Sequence, residues 1–239
     1  NPDELAKLYK AGRFVSVLAG LGCAVMVFLI GRQLYDERVG LWSALLFGTA
    51  PAMVAFAHVM KTHLPASFLG LCCLLFCVRS LSSRRWADLA KASAFFGLAV
   101  GCAKYHWFLA LPIAITYGLV YPDWWRLSRL KALAGLYLLA VAVFFATNPY
   151  VLVSWQETLD ESRGMMRWYQ SALSPRAIVN LIVHPLRVGL GAGAWLIGLF
   201  AAAAALWKRR SSERRLLILL LPLLAATAFQ MSSASADPY

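Results

Sequence analysis

The feature that most constrains this chain is a succession of long apolar runs with only short polar breaks between them. A helix needs about 20 apolar residues to cross the hydrocarbon of a bilayer, with roughly 17 as a lower limit. Measured against that length, the runs are 14–30, 41–60, 64–78, 87–103, 107–120, 132–147, 188–207 and 216–231, the shorter ones borrowing flanking turns. The expected fold is all-α: a polytopic integral membrane helical bundle of about eight transmembrane helices, forming a single transmembrane domain over 1–239 with an amphipathic helical outer loop at 148–187. Composition points the same way. The chain is 61% hydrophobic and 14% charged, whereas soluble domains carry about 25% charged residues.

A formal charge of +12 suggests a nucleic-acid binder at first sight. The Lys and Arg residues nevertheless sit in short bursts between apolar runs rather than along one solvated face, so the pattern is topological and no nucleic-acid partner is expected. The ambiguous stretch is 87–120, which reads either as one helix with Lys104 at its centre or as two helices turning at Lys104-Tyr105-His106. With two helices, alternate loops on one side hold Arg32 and Arg38; Arg79, Arg84, Arg85 and Lys91; Arg126, Arg129 and Lys131; and Lys208, Arg209, Arg210, Arg214 and Arg215. These are 14 of the 23 basic residues, the asymmetry expected of cytoplasmic loops. A Lys at the centre of a span would also cost about 2.5–3.5 kcal/mol on insertion scales. Two helices, and eight crossings in all, are therefore expected. On that topology 1–13 lies outside, so an odd number of earlier spans is expected if the full protein starts in the cytoplasm, and the chain reads as a piece of a longer protein.

The cysteines, Cys23, Cys72, Cys73, Cys77 and Cys102, lie inside apolar runs without CxxC spacing, so neither a disulfide framework nor a zinc site is indicated. All four histidines, His58, His63, His106 and His184, fall on the expected outer side, but no two share an i, i+4 helical spacing that would favour joint metal binding. No cofactor is implied and no metal ligand is assigned, although a divalent metal remains compatible with the residues present. The outer side also holds Lys61, Lys104, the Asn148-Pro149-Tyr150 turn and the long loop that follows. In that loop Ser154-Trp155-Gln156-Glu157 reads as a capping box. The helix it opens has Trp155, Trp168 and Tyr169 at headgroup level and ends at Pro175. A second amphipathic piece, 176–185, follows. Asp160 and Glu161 are either a catalytic base or partners of Arg163 and Arg167 on the helix surface.

The residues carry a resemblance. Leu8-Tyr9-Lys10-Ala11-Gly12-Arg13, then a span, then Gly31-Arg32-Gln33-Leu34-Tyr35-Asp36-Glu37-Arg38-Val39-Gly40-Leu41-Trp42, then Pro51 and the stretch 58–65, resembles the polyprenyl-phosphate-sugar glycosyltransferases of the C-type fold. That group includes the protein mannosyltransferases and aminoarabinose transferases. Gly97-Leu98-Ala99-Val100-Gly101-Cys102-Ala103-Lys104-Tyr105 is similar to their helix ending in a Gly-rich turn and Lys, and Asn148-Pro149-Tyr150 to the opening of their long outer loop. The resemblance implies transfer of a sugar from a lipid-phosphate carrier to an acceptor at the outer face. It also implies an acidic catalytic residue on an outer loop that would precede Asn1, so the catalytic residue of this chain is unknown. One departure stands out: His63 occupies the slot in which many relatives carry an acid.

The resulting expectation is substrate binding by Lys61, His63, Lys104, His106 and Tyr150, the two lysines meeting the carrier phosphate or else snorkelling to ordinary headgroups. Partners would be a lipid-linked sugar, membrane lipids and, on a second reading, other membrane subunits. The expected location is a bacterial inner (plasma) membrane with the long loop outside. The second reading is a non-catalytic transmembrane scaffold subunit descended from such an enzyme, which His63 favours.

Overall fold

The computed structural model describes residues 2–170, and among these the ordered elements are helices joined by short turns, with no strand. Contacts divide the chain into two units, Asn1–Phe144 and Phe145–Tyr239. The expected runs 188–207 and 216–231, the amphipathic piece 176–185, Pro175 and His184 lie outside the described residues.

Helix α1 (Pro2–Leu34) has 33 residues, about 50 Å at 1.5 Å per residue. It therefore outruns the hydrocarbon, and its first turns, with Asp3, Glu4, Lys7, Lys10 and Arg13, extend beyond the apolar run. The Arg13 guanidinium lies over the Tyr9 ring at 4.6 Å. Asp36 starts α2 (Glu37–Gly48) by accepting a hydrogen bond from the Val39 amide at 2.8 Å, a normal N-cap contact. The α1–α2 hairpin is tight because glycine stands where the backbones touch. A Cβ at Gly40 would lie 2.6 Å from the Phe28 carbonyl oxygen, and one at Gly31 would lie 2.8 Å from Gly40 Cα.

The run 41–60 is not one straight helix. It is α2 and α3 (Pro51–Ala57), bent by 59° at Thr49-Ala50. Proline disfavours helix in the residue before it, and Ala50 is accordingly extended. Helix α4 (His63–Ser83) runs alongside α1 in the same direction, since Gly20 and Cys23 meet Leu64 while Gly22 meets Phe68. It is the central helix, packed on α1 and α5 and on the segment beyond α5. Arg84 ends it in a left-handed conformation, φ 52°.

The stretch 87–120 is broken. Helix α5 (Trp86–Cys102) stops at an extended Ala103, a 3-10 segment Lys104–Leu109 follows, and α6 (Ala110–Val120) continues. Helix α7 (Leu127–Thr147) packs through Leu136 and Ala140. Gly97 permits that approach, because a Cβ there would lie 2.3 Å from the Ala140 carbonyl oxygen. In the second unit the described residues comprise the end of α7, the single turn α8 (Tyr150–Val153) and α9 (Trp155–Gln170).

Among the described residues three helices are long and apolar enough to cross a membrane: Asp3–Leu34, His63–Ser83 and Leu127–Thr147; the bent α2–α3 pair makes a fourth if it is one span. Helix α5 has 17 residues and α6 has 11, so neither qualifies alone. Only 11% of the span window is buried in α1 and in α7, against 44% in α4. Phe14, Leu18, Leu21, Leu41, Trp42 and Leu138 are among the exposed apolar side chains. That much apolar surface needs lipid as its solvent. The chain is an integral membrane protein.

Candidate functional site

The end of the first unit where α1 begins is built from irregular backbone. After α3, the His58 ring nitrogen Nδ1 lies 2.7 Å from the Val54 carbonyl oxygen, which assigns the Nδ1 proton to that bond. His58 is thus tied to its own helix. The chain then closes a three-residue turn in which the Lys61 amide donates to the Val59 carbonyl at 2.9 Å. Lys61 is exposed. Two residues later His63 opens α4 with the edge of its ring against Phe56, centroids 5.4 Å apart.

The turn between α5 and α6 comes to the same end. Ala103 and the 3-10 segment place Lys104 half-buried and His106 buried. The His106 ring faces Gly70 on α4, where a Cβ would lie 3.3 Å from it. It also stacks on Phe108 at 5.8 Å. Burial pushes the His106 imidazole down to about 4, with a smaller repulsion from His63, against a hydrogen bond to the Ala103 backbone that favours the charged form. At neutral pH His106 is therefore uncharged and can offer hydrogen bonds but no charge. Within the two turns, 58–63 and 103–109, the fixed cationic charge comes from Lys61 and Lys104.

Below the Lys61–His63 turn an apolar groove of about 350 Å³ opens between α1 and α4. Its walls are Val15, Leu18 and Ala19 on one side and Pro65, Phe68 and Leu69 on the other. Pro65 is two residues beyond His63, so the polar turn and the groove mouth are neighbours along α4. A cation above an apolar slot matches the shape and polarity of an amphiphile with a phosphate head.

Four of the five expected binding residues, Lys61, His63, Lys104 and His106, therefore share one end of the first unit. Tyr150 belongs to the second unit, where it opens α8 and is exposed. Ser154 precedes α9 as expected, but its hydroxyl donates back to the Tyr150 carbonyl at 3.1 Å. On the same helix Asp160 pairs with Arg163 at 3.2 Å, both side chains exposed. Among the described residues no three His, Cys, Asp or Glu side chains come together as a metal site.

Two residues that sequence reasoning left without a role are well defined. Ser16 is buried and donates to the Val59 carbonyl, 43 residues away, at 3.0 Å. Asp88, on the first turn of α5, is 5% exposed, accepts a hydrogen bond from Ser83 and lies 3.8 Å from Arg79. Ser16 sits within an apolar run and Asp88 at the edge of one, and both find their main partners across a turn or a helix pair. A sequence pattern does not reveal such partners.

No curated protein and no solved structure matches the chain. The profile of the dolichyl-phosphate-mannose-protein mannosyltransferase family matches residues 6–151, more than half of the sequence. That span covers the α1–α4 bundle, the α5–α6 turn and the opening of the second unit, and with it four of the candidate residues and Tyr150. The chain belongs to the dolichyl-phosphate-mannose-protein mannosyltransferase family.

Proposed function

We propose that this chain is the membrane-embedded part of a glycosyltransferase that takes its sugar from a polyprenyl-phosphate carrier and passes it to an acceptor at the outer face. The observation that carries this reading is the groove between α1 and α4 with Lys61 and His63 at its head. The isoprenoid tail lies in the groove. Lys61 and Lys104 neutralise the phosphate, and His63 and His106 donate or accept hydrogen bonds to the head. These are binding roles; none of them supplies the base that activates an acceptor hydroxyl. A lysine at interface depth meets phosphate where it stands in a bilayer.

Eight crossings in one membrane domain go with this reading. The break at Ala103 supports separate passages for 87–103 and 107–120. The basic bursts then face the cytoplasm of a bacterial inner membrane and the long loop lies outside. His63 in place of an acid favours a second reading, a scaffold subunit that packs in a larger complex without catalysis.

The test is thermal stability of the intact protein titrated with a polyprenyl-phosphate sugar, alongside Lys61→Ala and Lys104→Ala. The proposal expects stabilisation that weakens in both variants. Absence of stabilisation in the unmutated protein would contradict it and favour the scaffold.

A further inference from the structure

The turn that presents Lys61 is held from α1. The Val59 carbonyl accepts two hydrogen bonds, one from the Lys61 amide at 2.9 Å and one from the Ser16 hydroxyl at 3.0 Å. These fill both lone pairs of the oxygen. Ser16 also reaches the Gly12 carbonyl of its own helix at 3.2 Å, the usual resting partner of a serine inside a helix. The cross-helix partner is the nearer of the two. One turn earlier on the same face of α1, Gly12 lies against Met60, where a Cβ would fall 2.4 Å from the Met60 Cγ. Gly12 and Ser16 thus grip Met60 and Val59, the two residues immediately before Lys61.

Ser16 is 2% exposed, so water does not compete for its hydroxyl. It contributes little to α1 itself, because alanine is the better helix former at such a position. Its removal therefore falls on the 59–61 turn. Non-helical backbone near the hydrocarbon persists only where protein contacts hold it, and this bond is one such contact.

We propose that Ser16 is a positioning residue: through the Val59 carbonyl it sets the direction in which Lys61 leaves the turn, and so the grip of Lys61 on the phosphate of the carrier. This rests on the reading that Lys61 meets that phosphate.

A double-mutant cycle on the intact protein tests it, with farnesyl phosphate as the probe and farnesol as the same chain without the phosphate. Ser16→Ala is expected to weaken farnesyl phosphate roughly three- to tenfold, the range for one interhelical hydroxyl bond, and to leave farnesol unchanged. In a Lys61→Ala background the same substitution should do nothing further, and Ser16→Thr should restore the affinity. If Ser16→Ala does not fold, the cycle is run with Ser16→Cys, which keeps the size and weakens the donor. Equal weakening of farnesol, full additivity with Lys61→Ala, or unchanged affinity in Ser16→Ala would overturn the positioning role alone. If Lys61→Ala binds farnesyl phosphate as the unmutated protein does, the phosphate reading falls and takes the positioning role with it.

Discussion

At the end of the first unit formed by the α1–α2, α4–α5 and α6–α7 turns, acidic groups answer neighbouring partners through short, regular connections. Asp36 caps α2, Asp88 meets Ser83 and Arg79, and Asp123 lies 3.5 Å from Arg126 and 3.9 Å from Arg129. Arg129 in turn covers the Tyr121 ring at 4.6 Å and accepts at its carbonyl from the Tyr117 hydroxyl at 2.8 Å. At the opposite end the backbone is irregular: a bent helix pair, a three-residue turn, an extended Ala103 and a 3-10 segment. The segments 58–63 and 103–109 contain Lys61, Lys104 and three histidines and no acidic residue of their own. One end closes the fold with paired charges, whereas the other carries its polar side chains on irregular backbone, with the Lys61–His63 turn next to the groove. Irregular backbone at membrane depth occurs where protein or a polar cavity supports it, and that is where a polar ligand can be held.

Variants at each end test this difference. The largest expected effect is on pH dependence at the site end. Because burial holds His106 near 4 in the folded protein against an ordinary value of about 6.5, the unfolded chain binds a proton that the folded one refuses. Stability is therefore complete above about pH 6.5 and falls as pH drops toward 4, by up to about 3 kcal/mol. Melting temperature across pH 4–7.5 reads this, and His106→Gln should flatten the acid limb. An unchanged limb would mean that His106 is not the buried base described here.

Next comes Gly40→Ala at the opposite end, where a Cβ meets the Phe28 carbonyl and the Arg32 amide nitrogen at 2.6 and 2.9 Å. Overpacking against backbone costs about 2 kcal/mol, read as a lower melting temperature. A neutral Gly40→Ala would show that the hairpin is looser than these distances require. Smaller again, Lys61→Ala should weaken farnesyl phosphate about tenfold, which is about 1.4 kcal/mol, whereas Arg85→Ala should leave it unchanged. Equal losses would mean that charge, not position, governs binding, and the contrast between the ends would collapse. Smallest is Asp88→Asn. Its Arg79 partner is 58% exposed, so screening leaves about 0.5 kcal/mol in the pair, visible in stability and absent from ligand affinity.

Much of this architecture is legible in the sequence because lipid enforces a simple code. Among the described residues the long apolar runs became helices, and the Lys104 that argues against a single 87–120 span does sit in a break. The bend inside 41–60 is carried by Pro51, whose effect on Ala50 a hydropathy ruler does not register. The run 64–78 became a longer helix, reaching Ser83, because Arg79 and the serines after it continue the helical turn beyond the apolar stretch. For the candidate site, Lys61, His63, Lys104 and His106 stand out as cationic and imidazole residues between apolar runs. Ser16 gave no such signal: a lone serine in an apolar run reads as tolerated polarity until the carbonyl it serves is seen 43 residues away. Asp88 sits where an apolar run meets a basic loop, and its burial depends on the α4–α5 packing rather than on local composition.

The most direct measurement is photocrosslinking of the intact protein in a bilayer with a polyprenyl phosphate that carries its reactive group next to the phosphate, with the adducts located by mass spectrometry. Adducts are expected in 58–63 and 103–109 and on the α1–α4 groove, competed by unlabelled polyprenyl phosphate. Competed adducts confined to 79–88 and 121–131 would contradict this placement.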